Sequence, residues 1–541
     1  SFSGGAKKLG YYASLGTYDQ QGIIDNSRNR RYSARVNLNQ KAFNDRVRFD
    51  MNLTASQTRD NGVPITNNVG FEGDLIIATL RANPTSPIYI GNDPAKGFFD
   101  PPGNSKTNPL QFLSVYDDQA KLNRVLGNLT TSIDLLPGLT FRNNLGVDNS
   151  VSERDVTLFP NTIGFSVSGR FNSGVLGLRS RVVENFLTYD VNAGEHTLQL
   201  LAGHAYQTFF SRFRQFTAIG FAGSTIDPIN NPQVASDFAS VKPTGNAQEN
   251  EMQSFFGRAQ YSFRDGRYQA TATLRADGST RFGADNRYGY FPSFALAWRL
   301  SDEPFLKDAG LFDNLKLRVG WGQTGTQEIP NKITQASFSS GANNGYWLNG
   351  TDLTNGLTYS RTPNSGLKWE TGTQTNLGLD YGFMGGKISG VINWFDRRST
   401  NTLLELQAKA ASPSERVWLN LPGSIINRGL ELELSLVPYR SKTFGWNVNL
   451  NATTVKNTVE DMPFSQVSTG ALNGQGLTGA FSQVYRNGES VGSFLLFEHQ
   501  GFDDNGIDKV RDVNGDGAIT EGDKVIADKA LPSLYWGVDN S

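Results

Sequence analysis

The chain has 541 residues, and its 50 Lys and Arg against 51 Asp and Glu give a formal net charge of −1. It contains no cysteine, which excludes a disulfide scaffold, a thiolate metal site and cysteine catalysis. The lack of a basic excess argues against a dedicated nucleic-acid-binding protein, because no surplus of cations is available to displace counterions from phosphates.

The apolar residues of the chain are dispersed. No run of ten apolar residues occurs, whereas a membrane-spanning helix needs about 20. The strands of a membrane β-barrel alternate apolar and polar residues and therefore do not produce such a run. The sequence thus argues against a helical membrane protein and leaves a membrane barrel as a candidate.

Apolar and polar residues alternate with a period of two along most of the chain. Between Val47 and Ala55 every second residue is apolar, and the leucines from Leu430 to Leu436 alternate with Glu431 and Glu433. This is the two-faced pattern of β-strands rather than the 3.6-residue repeat of helices. The alternating stretches extend over about ten residues, close to the 9–11 that cross a membrane.

The pattern predicts an all-β chain with about sixteen antiparallel strands. They are expected at 9–18, 31–40, 46–57, 121–135, 139–150, 181–192, 196–209, 252–264, 267–276, 287–300, 315–324, 371–383, 387–398, 427–438, 445–457 and 531–541. A short helix is predicted in the link 301–314, because the run from Ser301 to Pro304 is typical of a helix start.

Short and long connections alternate between these strands. The short ones include 41–46, 136–138, 192–195, 264–267 and 384–387. Among them, Asp265-Gly266 predicts a hairpin, because a type I′ turn needs positive φ. The long ones cover roughly 58–120, 150–180, 208–251, 323–370, 398–427 and 457–530. Outer-membrane barrels have short periplasmic turns and long extracellular loops, so the pattern favours a transmembrane antiparallel β-barrel over a soluble sandwich.

Aromatic residues flank several of the short turns. Phe263 and Tyr268 stand on either side of Asp265-Gly266, and Tyr439 and Trp446 bracket another turn. Rings at this position fit the aromatic girdle of a membrane interface. Ordinary packing between neighbouring strands is the alternative interpretation.

Both ends of the sequence predict a piece of a larger barrel. The chain begins without methionine and ends directly after a short segment rich in apolar residues. Barrels with 22 strands enclose a plugged lumen, and we expect a parent of that size. Residues 1–541 would then form part of one barrel domain, without the N-terminal plug and without the last strands.

Several long stretches resemble the SusC/RagA-type TonB-dependent transporters of Bacteroidota outer membranes. They are LRADGSTRFGADNRYGYFPSFALAWRLSDEPF (274–305), SGLKWETGTQTNLGLDYGF (365–383), INRGLELEL (426–434), DVNGDGAITEGDKV (512–525) and GGAKKLGYYASLGTYDQQGI (4–23). The resemblance covers essentially the whole chain. It implies import of a large nutrient, an oligosaccharide or a peptide, across the bacterial outer membrane.

The same resemblance implies partners, and no bond chemistry is expected. A SusD-type surface lipoprotein would cap the long loops, and TonB would act through an N-terminal region that this chain lacks. The barrel would span outer-membrane lipid in many passes, and no enzyme activity is expected. The alternatives are a structural barrel that has lost transport within a larger outer-membrane complex and, more distantly, a soluble carbohydrate-binding β-protein.

One loop has the spacing of a calcium-binding loop, in which oxygen ligands recur at fixed positions and a glycine makes the turn. The predicted Ca²⁺ ligands are Asp512, Asn514, Asp516, Ala518, Thr520 and Asp523, with Gly517 as the turn residue. Position 12 is Asp rather than the usual Glu, and the shorter acid reaches the ion less easily. The alternative is an acidic, solvated turn that holds no ion.

The cargo is not specified by the sequence. Tyr346, Trp347 and Trp418 lie in long connections. These rings could stack on sugars, seat the lipoprotein or only pack the loops. We therefore assign no substrate-binding residue from the sequence.

Overall fold

The computed structural model describes residues 1–65, 74–99, 108–160, 168–221, 226–238, 241–348, 352–407, 416–472, 477 and 479–541. Strands account for most of these residues, which confirms the predicted all-β class. The helices in this part of the chain are short, namely α1 (Leu75–Arg81), α2 (Pro109–Val115) and α3 (Pro304–Lys307). None of them is long and apolar enough to cross a membrane.

The strands follow one another along the chain. The first twelve are β1 (Phe2–Ala6), β2 (Leu9–Gln21), β3 (Arg28–Ala42), β4 (Val47–Gly62), β5 (Tyr116–Leu136), β6 (Leu139–Leu158), β7 (Arg170–Ala193), β8 (His196–Ile219), β9 (Thr244–Phe263), β10 (Tyr268–Ser279), β11 (Tyr288–Arg299) and β12 (Asn314–Thr326). The remaining ones are β13 (Ser337–Leu348), β14 (Asp352–Arg361), β15 (Glu370–Phe383), β16 (Ile388–Gln407), β17 (Arg416–Arg440), β18 (Gly445–Glu460), β19 (Gln466–Ala471), β20 (Phe481–Arg486), β21 (Ser493–Phe497), β22 (His499–Phe502), β23 (Asp508–Val510), β24 (Lys524–Lys529) and β25 (Leu534–Asn540).

The long strands pair antiparallel in a large sheet within each unit, and the chain divides into two such compact units. The first unit contains 1–185, 205–251 and 473–478, and the second contains 186–204, 252–472 and 479–541. In the first unit each strand from β1 to β6 pairs antiparallel with the next. In the second unit the antiparallel order runs from β10 through β11, β12, β15, β16, β17 and β18 to β25.

The long connections of the second unit carry small sheets of their own. Strands β13 and β14 form a hairpin, β19, β20, β21 and β24 form a four-stranded sheet, and β22 pairs with β23. The sequence predicts none of these strands, because they lack sustained alternation and those after β18 are also short. Strand β1 is likewise additional to the sixteen predicted strands, all of which are present.

The sheet has one apolar and one polar face, as the alternation predicts. Across β3 and β4, Val36 lies opposite Leu53. Across β16 and β17, Leu432 lies opposite Ile392, while Glu431 lies opposite Asn393 on the other face. Direct partners in a strand pair share a face, so the registers keep the leucines and the glutamates of β17 apart over its whole alternating stretch.

The strands extend further toward the long connections than predicted. Strand β17 begins at Arg416 and β7 at Arg170, inside ranges expected to be loops. Backbone pairing continues there although the side-chain alternation has stopped. The Asp265-Gly266 hairpin is also longer than a two-residue turn, because Phe263 pairs with Tyr268 across four residues. The predicted helix in the link 301–314 is confirmed as α3.

Candidate functional site

Arginine–aspartate pairs cross-link the polar face of the first unit. Arg48 on β4 pairs with Asp134 on β5 at 2.8 Å, and Arg124 on β5 pairs with Asp148 on β6 at 2.6 Å. Each guanidinium donates two hydrogen bonds to its carboxylate, the bidentate geometry that makes such pairs specific. The polar face is therefore charged, internally neutralised and suited to contact with water.

The second unit repeats this arrangement around Arg318 on β12. Its guanidinium donates to Asp380 on β15 at 2.6 Å and to Asn393 on β16 at 3.1 Å. Gly378 lies between these partners, and a Cβ atom there would come within 2.9 Å of the guanidinium carbon. The glycine thus leaves the room that the arginine needs to cross the strand.

The Asn-x-Gly-x-Glu stretch of β17 has a structural explanation. Asn427 accepts a hydrogen bond from the amide of Asn457 on β18 at 2.7 Å. A Cβ atom on Gly429 would lie 1.9 Å from the carbonyl oxygen of Thr454, so only glycine fits the close approach of the two strands. Glu431 accepts from Asn393 at 3.4 Å. The motif therefore fixes the pairing of β17 with its neighbours.

Two of the family-like stretches meet in a buried cluster at the long connections of the second unit. This cluster, the loop core, consists of Phe282, Phe291, Ile329, Ile333, Leu367 and Trp369. The Trp369 ring lies 5.1 Å from Phe282 and 5.6 Å from Phe291, and its indole N–H donates to the carbonyl of Arg287 at 3.0 Å. Segments from three connections and strand β11 thus pack against one another.

A charged cluster that was not predicted from the sequence lies on strands β9 and β10, next to the loop core. Arg275 donates to the buried carboxylate of Asp277 at 2.8 Å and to the hydroxyl of Ser254 at 2.9 Å. Its guanidinium also lies 5.1 Å from the centre of the Phe256 ring. The signal available in the sequence was the Arg-x-Asp spacing inside 274–305, which places both side chains on one face of a strand.

Of the three aromatic residues in the long connections, the structure describes the side chain of Trp418 alone. The Trp418 side chain is half-buried, packs against the loop core and donates its indole N–H to Glu405 at 3.1 Å. Of the three interpretations, loop packing is the one its contacts support. The side chains of Tyr346 and Trp347, on β13, lie outside the described residues.

The first half of the predicted calcium loop is organised by Asp512. Its two carboxylate oxygens accept hydrogen bonds from the backbone N–H groups of Gly515 at 2.7 Å and Gly517 at 2.8 Å. The Asn514 amide donates to Asp516 at 3.0 Å, and both of these side chains are exposed. The segment is a compact turn in which backbone donors already occupy a carboxylate.

The second half is organised by Asp523, whose accessible surface is 0%. It accepts hydrogen bonds from the backbone N–H groups of Thr520 at 2.8 Å and Val513 at 2.9 Å. The Thr520 N–H, with further backbone donors, holds the pKa of Asp523 below its usual range, because these bonds favour the charged form. Ala518 donates its N–H to Asp516 at 2.8 Å.

Backbone hydrogen bonds, rather than a preformed ion cage, account for the shape of this loop. Within the described part of the chain, no three His, Asp or Glu side chains are grouped so as to hold a metal ion. Each carboxylate oxygen retains a second lone pair, so the hydrogen bonds do not block a cation. Calcium binding by Asp512, Asn514, Asp516, Ala518, Thr520 and Asp523 stays a prediction.

Comparisons with known proteins match nearly all of the chain. The family model described as "TonB dependent receptor-like, beta-barrel" matches residues 2–493. The TonB-dependent receptor SusC of Bacteroides thetaiotaomicron is 30% identical over 99% of this chain and 55% of its own length. The TonB-dependent receptor P3 of Formosa agariphila is 27% identical over 100% of this chain and 55% of its own length.

Solved structures support the same fold. A structure of the RagAB peptide transporter superposes on 100% of this chain and 59% of its own chain, with a TM-score of 0.83 and 21% sequence identity. At that identity the likeness establishes the fold alone. The chain spans about 55% of the length of the curated relatives that it matches.

Proposed function

This chain belongs to the TonB-dependent receptor-like β-barrel family, is of the SusC/RagA type and lies in the bacterial outer membrane, and on that premise we propose that it forms most of the wall of a nutrient importer. In the complete protein, TonB would drive uptake of a large solute, an oligosaccharide or a peptide. The relatives are named as receptors, and we assign no bond chemistry to the chain.

The observation that carries this proposal is the two-faced sheet. The apolar face exposes rings and aliphatic side chains such as Leu15, Leu274 and Leu296, and an exposed apolar surface of this kind fits contact with lipid. The polar face carries paired arginines and aspartates, as in Arg318 and Asp380. Charges at the bilayer midplane cost about 2–4 kcal/mol, so the polar face belongs to a water-filled lumen.

A lipoprotein lid of the SusD type is proposed as the partner at the long connections. The loop core and the adjoining sheets give these connections a packed framework, and a packed framework loses little conformational entropy when a partner docks on it. The name of the RagAB neighbour refers to a peptide transporter. For this chain, peptide and oligosaccharide remain equal candidates for the cargo.

Uptake by intact cells tests the proposal. A strain without the full-length gene is complemented with the gene, and uptake of labelled oligosaccharides and peptides is measured with and without functional TonB. We expect uptake of one cargo class to be lost on deletion, restored on complementation and abolished without TonB. The alternative is a structural barrel that has lost transport. It would be supported if the barrel is intact and associated with a lipoprotein, yet deletion of its gene changes no uptake.

A further inference from the structure

Three cations stand in line across the apolar face of the first unit. The strand registers place Arg30 on β3 directly opposite Arg59 on β4, and Arg59 directly opposite Lys121 on β5. The three residues share the face that carries Val36 and Leu53. Like charges placed directly opposite in a sheet destabilise it, so this row, the cation row, needs compensation from elsewhere.

The protein supplies little of that compensation. Among the described residues, no ion pair involves Arg30, Arg59 or Lys121; Arg59 donates only to the neutral side chain of Gln57, at 3.2 Å. Asp19 lies opposite Arg30, but Arg28 holds its carboxylate through two hydrogen bonds of 2.8 and 2.5 Å.

Glu153 lies beyond the other end of the cation row, opposite Lys121. Arg28 offsets Asp19, and Glu153 with its same-face neighbour Asp155, which lies opposite Gln119, are the acidic residues near this end of the row. The three cations of the row therefore outnumber these two acidic residues on the face that otherwise contacts lipid.

The cation row sits at the border of the apolar band. The next partners toward the short turns are Tyr32, Gln57 and Asn123, and the following ones are Ala34, Ala55 and Val125. Two residues along a strand span about 6.6 Å, so the cations lie roughly 13 Å from Ala55 along the strand. In an outer-membrane barrel the long connections are external, which puts this border at the headgroups of the outer leaflet.

An apolar groove of about 650 Å³ lies immediately below the row. The small side chains of Ala34 and Ala55 line its floor, and Leu15, Tyr32 and Val125 are larger side chains that line it as well. A shallow trough between small residues gives an extended hydrocarbon chain more contact with the sheet than a flat wall does. The groove and the cation row are continuous through Tyr32 and Gln57.

We propose that this surface binds a phosphorylated glycolipid of the outer leaflet, with its phosphate against Arg30, Arg59 and Lys121 and one acyl chain in the groove. Arginine pairs with phosphate through two parallel hydrogen bonds, and Arg59 has a cation on each side of it in the row. The apolar groove favours a lipid over a free anion, and the level of the row fits a headgroup. Bound lipid would stabilise the strand pairs that the aligned cations weaken.

Lipid retention by the full-length barrel tests this site. The triple variant Arg30→Gln, Arg59→Gln, Lys121→Gln is compared with Lys7→Gln, Lys8→Gln, Lys41→Gln, which removes three charges at the opposite ends of β1, β2 and β3. After exchange into detergent, diphosphorylated lipid A is added and bound lipid is counted by native mass spectrometry. We expect the first variant to bind about 100-fold less and the second to bind as the wild type does, since each of the three cations near an anionic headgroup strengthens binding about fivefold.

A second variant and two further probes separate the alternatives. Ala55→Leu fills the groove without changing charge and should weaken lipid binding while leaving the heat-modifiable migration of the folded barrel unchanged. Dephosphorylated lipid A should bind the wild type about as weakly as diphosphorylated lipid A binds the triple variant. Equal binding by both triple variants overturns the proposal. So does inorganic phosphate that competes as well as the lipid, or cross-linking of the row to a protein partner.

Discussion

Trp298 donates its indole N–H to the carboxylate of Glu303 across 2.9 Å. Tyr268 donates its hydroxyl to the same carboxylate oxygen, and the two rings stack at 6.3 Å. One acid in the link after β11 thus orients two rings on the apolar face beside a short turn. Phe263 continues the stack, which is the arrangement expected of an interfacial girdle.

Removing that acid should release the rings. Glu303→Ala leaves the donors of Tyr268 and Trp298 without this acceptor, whereas Glu303→Gln keeps an acceptor, so the alanine variant should be the more destabilised of the two. Urea unfolding of the barrel in vesicles, followed by tryptophan fluorescence, measures the difference. An alanine variant as stable as the glutamine variant would mean that Glu303 does not hold the rings.

Glycine at position 429 should be irreplaceable. The Cβ atom of alanine would lie 1.9 Å from a backbone carbonyl oxygen, so β17 and β18 must separate locally, at a cost of about 1–3 kcal/mol. Gly445→Ala is the matched control, because nothing lies within 4 Å of its added atom. The midpoint of urea unfolding should fall for the first variant and not for the second; equal midpoints would contradict the close approach.

Trp369 should hold the long connections together without supporting the large sheet. Its side chain is 7% exposed, and truncation of a buried tryptophan costs about 3–5 kcal/mol. Trp369→Ala should therefore admit protease to 280–287 and 327–336 while the barrel keeps its heat-modifiable migration. Tyr290→Ala, at an exposed ring, is the control. Unchanged cleavage in the tryptophan variant would show that the loop core is not cooperative.

The loop at 512–523 should loosen in acid. Backbone donors lower the pKa of Asp523 in the folded protein, so its contribution is complete above the unfolded value near 3.9 and is lost as the pH falls through the lower folded value. Proteolysis of this loop by pepsin, compared between pH 4.5 and pH 2, measures the effect. Asp523→Asn should make the loop equally susceptible at both values, and an acid-resistant wild-type loop would contradict the assignment.

Calcium binding at the same loop is a separate proposal. Calcium titration of the purified full-length protein should show one site, and Asp512→Ala with Asp516→Ala should abolish it without unfolding the barrel, because two of the oxygen ligands are removed. Asp503→Ala, in a neighbouring acidic turn, is the control. If the double variant gives the same heat of calcium titration as the wild type, Asp512 and Asp516 are not calcium ligands and the loop is only an acidic turn.

The large sheet was predictable because the alternation of residues such as Leu430 and Glu431 follows directly from the geometry of a strand. The extra pairing at Arg416 and the small sheets of the long connections were not, since backbone hydrogen bonds there do not depend on a side-chain period. The loop core was not predictable either, because its residues are distant from one another in the sequence. Leu367 and Phe282 are 85 positions apart, and only the fold brings them together.

The calcium-like loop shows why a binding site is harder to predict from sequence than a strand. The residue types at Asp512 and Asp523 are right for an ion, yet the structure uses both carboxylates to accept backbone hydrogen bonds. Spacing alone does not distinguish the two uses. The cation row, in contrast, needs the registers of three strands, because Arg30, Arg59 and Lys121 are far apart in the sequence.

In the barrel proposed for this chain, Leu432 faces lipid while Glu431 faces a water-filled lumen. The chain contains no cysteine, so a single cysteine can be introduced at either position of the complete barrel in outer-membrane vesicles. A membrane-impermeant, water-soluble maleimide should label Glu431→Cys readily and Leu432→Cys hardly at all, whereas a lipid-soluble quencher should act only on a probe at position 432. The reverse pattern, or equal labelling at both positions, would contradict the account of this chain as the wall of an outer-membrane importer.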